Sequence, residues 1–276
     1  MTKNQTIKER VKIIERCLSL WRYRGFILGM VGREFQSRYL NSLLGTMWAI
    51  INPVAMIFVY TVIFSKIMRA RLAGTEDTWA YGVFLCAGLL TWNYFAELLS
   101  RCQTIFIEHS NMIKKVHFPR TTLPVIIFLS CSVNFLIIFG IFMIFLLITG
   151  RFPGWSIIGF VPLLMIQQGI ALGLGIFLGT MNVFFRDIGQ LVGIVLQFWF
   201  WFTPIIYPIS ILPEKIKVLL SFNPMTRFIT SYQQIILYGQ WPDIYALRFH
   251  VMGAIVFLAA GSFVFKKLSG DIADEL

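Results

Sequence analysis

Glu97 is the only carboxylate inside the long apolar runs of this sequence. An ionisable group at membrane depth is costly, and where one persists it commonly marks a binding or ion pathway. The plainer reading pairs Glu97 with Arg101 one helical turn on. The other groups capable of chemistry are dispersed. His109, His117 and His250 are far apart, and Cys17, Cys86, Cys102 and Cys131 form no CxxC. No disulfide framework or metal-ligand spacing follows. GxxxxGK[ST], HExxH and GxSxG are all missing, so neither a phosphate loop of that kind nor a hydrolytic motif is visible. What remains is amides and rings. The chain is 16% aromatic, and amphipathic rings offer flat apolar faces with polar edges.

The elements that must position these groups are apolar. The chain of 276 residues is 57% hydrophobic and 13% charged, against roughly 25% charged in soluble domains. One compact core cannot bury that much apolar surface. A spanning helix needs about 20 apolar residues, and such stretches occur at Leu44–Phe64, Trp79–Leu99, Leu123–Thr149, Ile157–Phe185, Ile188–Tyr207 and Ala246–Phe265. They are continuous rather than alternating, so helices are expected and not a barrel. The fold class read here is all-α integral membrane with six transmembrane helices.

The formal charge of +11 is first a topology signal. Nine basic residues precede the first span, four lie between the second and third, and Arg186, Lys266 and Lys267 complete 16 of the 24 on one side. The bias puts both termini in the cytoplasm. Nucleic acid is not an expected partner. Within the first 40 residues, Ile7, Val11, Ile14, Leu18 and Trp21 recur at helical spacing among Lys8, Arg10, Lys12, Arg16 and Arg22. That is the pattern of an amphipathic interfacial helix, not of a cleaved signal. A second short helix is expected over Met30–Leu40, with Gly25, Gly29 and Gly32 loosening the join.

Three internal segments stand out. Arg101–Arg120 is too polar for lipid and long enough for a cytoplasmic helix, with Pro119 turning the chain back. Gly169 with Gly173, Gly175 with Gly179, and Gly189 with Gly193 make small-xxx-small pairs that let backbones approach; the approach suits contacts within a subunit or between subunits equally. Ile209–Pro242 is too polar to span. It suggests a re-entrant hairpin before the last span: one helix after Pro213, and a second capped by Asn223 with Pro224 at its first position.

Several local patterns then resemble a known group. Leu44-Gly45-Thr46-Met47-Trp48 followed by Asn52-Pro53, Phe118-Pro119-Arg120 with Leu123-Pro124, Phe185-Arg186-Asp187-Ile188, Thr203-Pro204 through Tyr207-Pro208, and Asn223-Pro224 occur in order. Together they resemble the ABC-2 type permeases that export O-antigen, capsule or teichoic-acid polysaccharides. The resemblance implies a homodimer in the bacterial inner membrane, with two copies of a separate ABC ATPase that hold the ATP and Mg. It implies a lipid-linked polysaccharide as substrate, and no cofactor, metal or catalytic residue in this chain. The whole of 1–276 is then one transmembrane domain: cytoplasmic interfacial helices to 40, a six-span region over 41–267, and a cytoplasmic tail over 268–276.

In that family spans one and five flank the dimer axis, which points to Trp48, Asn52 and Tyr60 with Gln197, Trp201 and Thr203 along the substrate path. Arg22 and Arg24 are candidates for the lipid pyrophosphate, and Glu108, His109, Asn111 and Lys114 for ATPase coupling. The alternatives are an ABC-2 permease for another lipid or drug, a stand-alone carrier, or a lipid-modifying transferase. The charge bias yields the first test. A single cysteine replacing Lys217 should react with an impermeant reagent in intact cells, and one replacing Ser110 should not. The reverse pattern would invert the topology.

Overall fold

The computed structural model describes residues 21–37, 44–63, 79–115 and 118–276, apart from the side chains of 46, 273 and 274. The interfacial helix expected before Trp21, the end of the first span at Phe64, and His117 lie outside them. The described residues form helices α1 (Arg24–Ser37), α2 (Trp48–Val62), α3 (Ala80–Glu108), α4 (Ser110–Lys115), α5 (Thr122–Ile148) and α6 (Phe160–Phe184). They continue as α7 (Asp187–Trp201), α8 (Glu214–Ser221), α9 (Pro224–Tyr238), α10 (Arg248–Leu268) and α11 (Ile272–Glu275). In hydrocarbon the backbone must satisfy its own polar groups, so apolar runs become helices.

Among the described residues four segments are long and apolar enough to cross a membrane: α3, α5, α6 with the turn before it, and α10. At 1.5 Å per residue, the 29 residues of α3 reach about 44 Å. Helices α2 and α7 have 15 residues each, about 22 Å, short of the roughly 30 Å of hydrocarbon. Expected span five therefore contains a shorter helix than its apolar run suggested, while over span one a short 3-10 turn at Gly45–Met47 leads directly into α2.

Three further boundaries differ from the sequence reading. Helix α1 runs through Gly25, Gly29 and Gly32 without a break: glycine weakens a helix by only about 0.5–1 kcal/mol per residue, and no close backbone approach requires it at any of them. Arg101–Glu108 is not part of an inserted polar loop but the last two turns of α3. Cys102, Gln103, Ile105 and Phe106 there are buried, so within this segment the separate element is the short helix Ser110–Lys115. Helix α7 stops at Trp201 and the chain turns through Phe202–Tyr207. The two short helices of 209–242 fall where the prolines put them. Pro213 precedes α8, and the Asn223 side chain caps α9 by accepting from Met225 N at 3.0 Å. Gly239, in the left-handed region at φ 63°, ends α9.

Helix α3 is the centre. It packs against α2, α5, α6, α7 and α9. Its seam with α6 is made by glycine: a Cβ at Gly175 would lie 2.4 Å from Cys102 Cβ, and one at Gly179 would lie 2.4 Å from Cys102 O. Gly173 meets the backbone of Phe257 on α10 in the same way, and Gly261 meets Gly173 O. The open question about these glycines resolves toward packing within the subunit. Lipid offers no hydrophobic drive for helix association, so close van der Waals approach supplies it. Gly193 has nothing within 4 Å. Replacing Gly179 by Leu should therefore destabilise the detergent-solubilised protein by about 3 kcal/mol or more. Gly193→Ala should leave it unchanged or about 0.5–1 kcal/mol more stable. Thermal melting of the two variants checks the contrast.

Candidate functional site

Helix α3 is buried almost all round. Asn93 is its one exposed residue between Ala80 and Ser100, and Glu97 is half-buried one turn on. With Arg101 they stand at i, i+4 and i+8, which makes one stripe along the helix. The upper part of the stripe opens on a cavity of about 260 Å³ between α2, α3 and α5. Asn52, Asn93, Tyr94, Glu97 and Asn134 supply its polar groups, and Met56 and Phe135 are among its apolar ones. Asn134 Nδ2 donates to Glu97 Oε2 at 2.9 Å. The Tyr94 hydroxyl shares a 2.7 Å hydrogen bond with Ser132, and its ring stacks on Phe135 with centroids 4.4 Å apart.

Arg101 turns to α1 rather than to Glu97. Its Nη2 donates to Glu34 Oε2 at 2.7 Å, and the Ser130 hydroxyl donates to the same oxygen. Three amides, a carboxylate and a phenol beside an aromatic face can donate to and accept from a ligand rich in hydroxyls. Among the described residues no three His, Cys, Asp or Glu side chains are grouped as metal ligands.

The expected path residues divide into two sets. On α2, Ala49, Pro53, Ile57 and Thr61 face inward, while Trp48 and Asn52 are exposed and Tyr60 is half-buried. Asn52 lines the cavity and Trp48 does not. On α7, Val192 and Leu196 face inward, and Gln197 and Trp201 lie on the exposed face with Ile194 and Phe198. The α7 set is not part of the cavity that holds Asn52. Asn93 and Asn134 were not singled out in the sequence; their signal was only that of single amides in apolar helices.

Thr203 is buried and fully engaged. Its hydroxyl donates to Trp199 O at 2.7 Å and accepts from Asn223 Nδ2 at 3.0 Å. The same Asn223 nitrogen donates to Phe202 O at 2.9 Å, and its Oδ1 accepts from Trp199 Nε1 at 2.8 Å. Asn223 thus uses all its bonding positions to hold the end of α7 against the start of α9. Trp92 and Phe95 pack edge-on against Trp199 at 6.0 and 5.5 Å, so these rings belong to the subunit's own core.

The remaining candidates lie toward the α4 end. Arg22 and Arg24 are exposed, and the Arg24 guanidinium sits 5.1 Å from the Trp21 ring centroid. Glu108 at the end of α3 and Asn111 and Lys114 on α4 are exposed, and the latter two share a face of α4 at three-residue spacing. His109 is half-buried, with Nδ1 3.1 Å from Ile105 O.

Comparison with known proteins gives a consistent result. The family described as "ABC-2 type transporter" matches residues 26–237. An O-antigen export system permease protein RfbA of Myxococcus xanthus is 29% identical over 259 residues, covering 93% of this chain and 97% of the relative. A protein of the same name from Klebsiella pneumoniae is 30% identical over 248 residues, 90% and 93% of the two chains. The polysialic acid transport protein KpsM of Escherichia coli is 20% identical over 234 residues, 83% and 88% of the two.

The Glu34–Arg101 ion pair ties α1 to the stripe, with side chains 15% and 23% exposed. A double-mutant cycle of Glu34→Gln and Arg101→Gln should give a coupling of about 1–3 kcal/mol in thermal stability. A coupling indistinguishable from zero would reduce the pair to surface decoration.

Proposed function

Since the chain belongs to the ABC-2 type transporter family, we propose that it is the transmembrane subunit of an ATP-driven exporter that carries a lipid-linked polysaccharide of the O-antigen class across the bacterial inner membrane. The observation that carries this reading is identity of 29–30% across nine-tenths of the chain with permeases named for O-antigen export. The polymer named for the 20% identical relatives is also a polysaccharide. The stripe of Asn93 and Glu97, facing Asn52 and Asn134, supports it physically. Polar groups on an otherwise buried helix are unfavourable against lipid and suited to a polar chain.

ATP and Mg belong to a partner. The sequence holds no phosphate loop of the GxxxxGK[ST] kind, so two copies of an ABC ATPase would drive two copies of this chain. The exposed faces of α2 and α7 are the surfaces that would enclose the path at the dimer axis, with Trp48, Asn52, Tyr60, Gln197 and Trp201 along it. Thr203 acts there through the α7 turn. Helices α2 and α7, though short, complete six spans, and the α8–α9 hairpin dips into the outer leaflet. Both termini are cytoplasmic, and 1–276 forms one transmembrane domain. Arg22 and Arg24 meet the lipid diphosphate, for which guanidinium is a good bidentate match. Glu108, His109, Asn111 and Lys114 meet the ATPase.

Export by the intact permease–ATPase complex tests the reading. Glu97→Gln and Trp201→Ala should each slow export by about tenfold, the equivalent of ~1.4 kcal/mol at the transport barrier, with polymer accumulating inside at normal permease levels. Replacing Glu108 and His109 together should separate ATP hydrolysis from export. Wild-type export by all three would refute the assigned path and coupling surface.

A further inference from the structure

At the end of the fold away from α4, the α8–α9 hairpin and the start of α10 enclose a cavity of about 640 Å³. Three cations line it: Lys217 on α8, Arg227 on α9 and Arg248 on α10. Lys217 is held by Glu214 at 2.7 Å. The Arg248 guanidinium lies 4.8 Å from the Phe249 ring centroid. Among the described residues neither arginine pairs with a carboxylate. Asp243, the nearest acidic residue in sequence to Arg248, accepts from Ala246 N.

A second observation points to a ligand. Thr226 lines the same cavity, is only 7% exposed, and its hydroxyl has no hydrogen-bond partner. His250 Nδ1 is also buried there without a partner, while its Nε2 sits 3.2 Å from Pro224 O. Buried polar atoms are paired in nearly all native structures, so two unpaired ones in one cavity call for an occupant. An exposed guanidinium fork on each of two helices, beside a buried hydroxyl donor, fits an anion with several acceptor oxygens.

The surroundings narrow the class. Phe249, Leu219 and Phe222 are 62%, 64% and 81% exposed, and Tyr245 is 87% exposed. Apolar side chains of that exposure beside a basic cavity suit acyl or prenyl chains, and aromatic rings favour the membrane interface. We propose that this cavity binds the phosphate or diphosphate headgroup of a membrane lipid. Arg227, Arg248 and Thr226 are its direct ligands, and Lys217 adds charge. The site requires only that the chain sits in a membrane, and so stands apart from the export reading.

Native mass spectrometry of the full-length chain in detergent tests it. The probes are phosphatidylglycerol, a long-chain polyprenyl diphosphate, and inorganic phosphate as competitor. The Arg227→Gln/Arg248→Gln double variant should retain lipid about tenfold less than the unmodified protein, and Thr226→Val several-fold less. Lys215→Gln, a charge loss on α8 outside the cavity, should change nothing. A preference for the diphosphate identifies a prenyl diphosphate as the occupant; equal retention identifies an ordinary phospholipid, and both support the site. Undiminished lipid retention in the double variant and in Thr226→Val overturns it. So does stripping of the lipid by excess inorganic phosphate, which would make this a site for soluble anions. Because Thr226→Val preserves shape and both arginines are exposed, wild-type elution of each variant separates lost binding from lost folding.

Discussion

A peptide group released from a helix inside hydrocarbon costs several kcal/mol unless another group takes its hydrogen bond. That constraint decides where this chain is allowed to turn. Helix α7 ends in a stretch of free carbonyls, and a side chain answers each major one. Asn223 donates to Phe202 O, Gln233 reaches Pro204 O at 3.3 Å, and the Tyr81 hydroxyl donates to Ile206 O at 2.6 Å. At the other end of α7, Asn182 Oδ1 accepts from Gly189 N at 3.0 Å while its Nδ2 donates to Gln103 O. Buried Gln167 ties α3 to α9 by donating to Thr91 O and accepting from the Tyr232 hydroxyl. The amides are therefore the fasteners of the fold. Gln168 departs from the pattern, with both polar atoms of its amide buried and unpaired.

Once the turns are fixed, glycine sets the distances. The α3–α6 and α6–α10 seams close to backbone contact at Gly173, Gly175, Gly179 and Gly261. This draws α3 into the middle and leaves α2 and α7 at the periphery, each with only one inward face. Their outward faces carry Trp48, Phe58, Phe198 and Trp201, all more than two-fifths exposed. A 15-residue helix against lipid would leave apolar thickness unmatched. The same helices beside a second copy or a wet path carry no such penalty, because irregular backbone at membrane depth is tolerated where protein or water covers it.

Much of this was legible in the sequence, and the limit has a physical form. Apolar runs and proline positions act locally, so the helix class, the Asn223 cap and the helix after Pro213 could be read directly. Boundaries set by a distant partner could not. Arg101 looked like the start of a polar loop, yet Glu34, 67 residues away, neutralises it and lets α3 continue. Thr203 looked available, yet Trp199 and Asn223 occupy its hydroxyl. The cavity site was hidden for a similar reason. Asn52, Asn93 and Asn134 are single amides in three helices, and only tertiary packing turns them into one polar surface around Glu97. The glycine pairs were visible as motifs, but the choice between contacts within and between subunits depended on what α3 and α10 brought against them.

The composition of that polar surface bears on how a long polar chain is handled. Conduction along a path requires contacts favourable enough to admit the moving group and weak enough to release it at each step. A guanidinium facing a sugar phosphate or carboxylate would hold it through a charge-assisted bond about twice as strong as a neutral one. Amides and rings hold through neutral hydrogen bonds and apolar faces, which reform readily as one sugar unit replaces the next. In the described cavity the charge is confined to Glu97, whose carboxylate accepts from Asn134 at 2.9 Å. The cation of the stripe is likewise spent within the protein, since Arg101 is bound to Glu34. Strong charge is left exposed at the two ends, on Arg22 and Arg24 and on Arg227 and Arg248. Neutral contacts through the hydrocarbon and cations at its edges are the arrangement that a polar chain tethered to an anionic lipid would need.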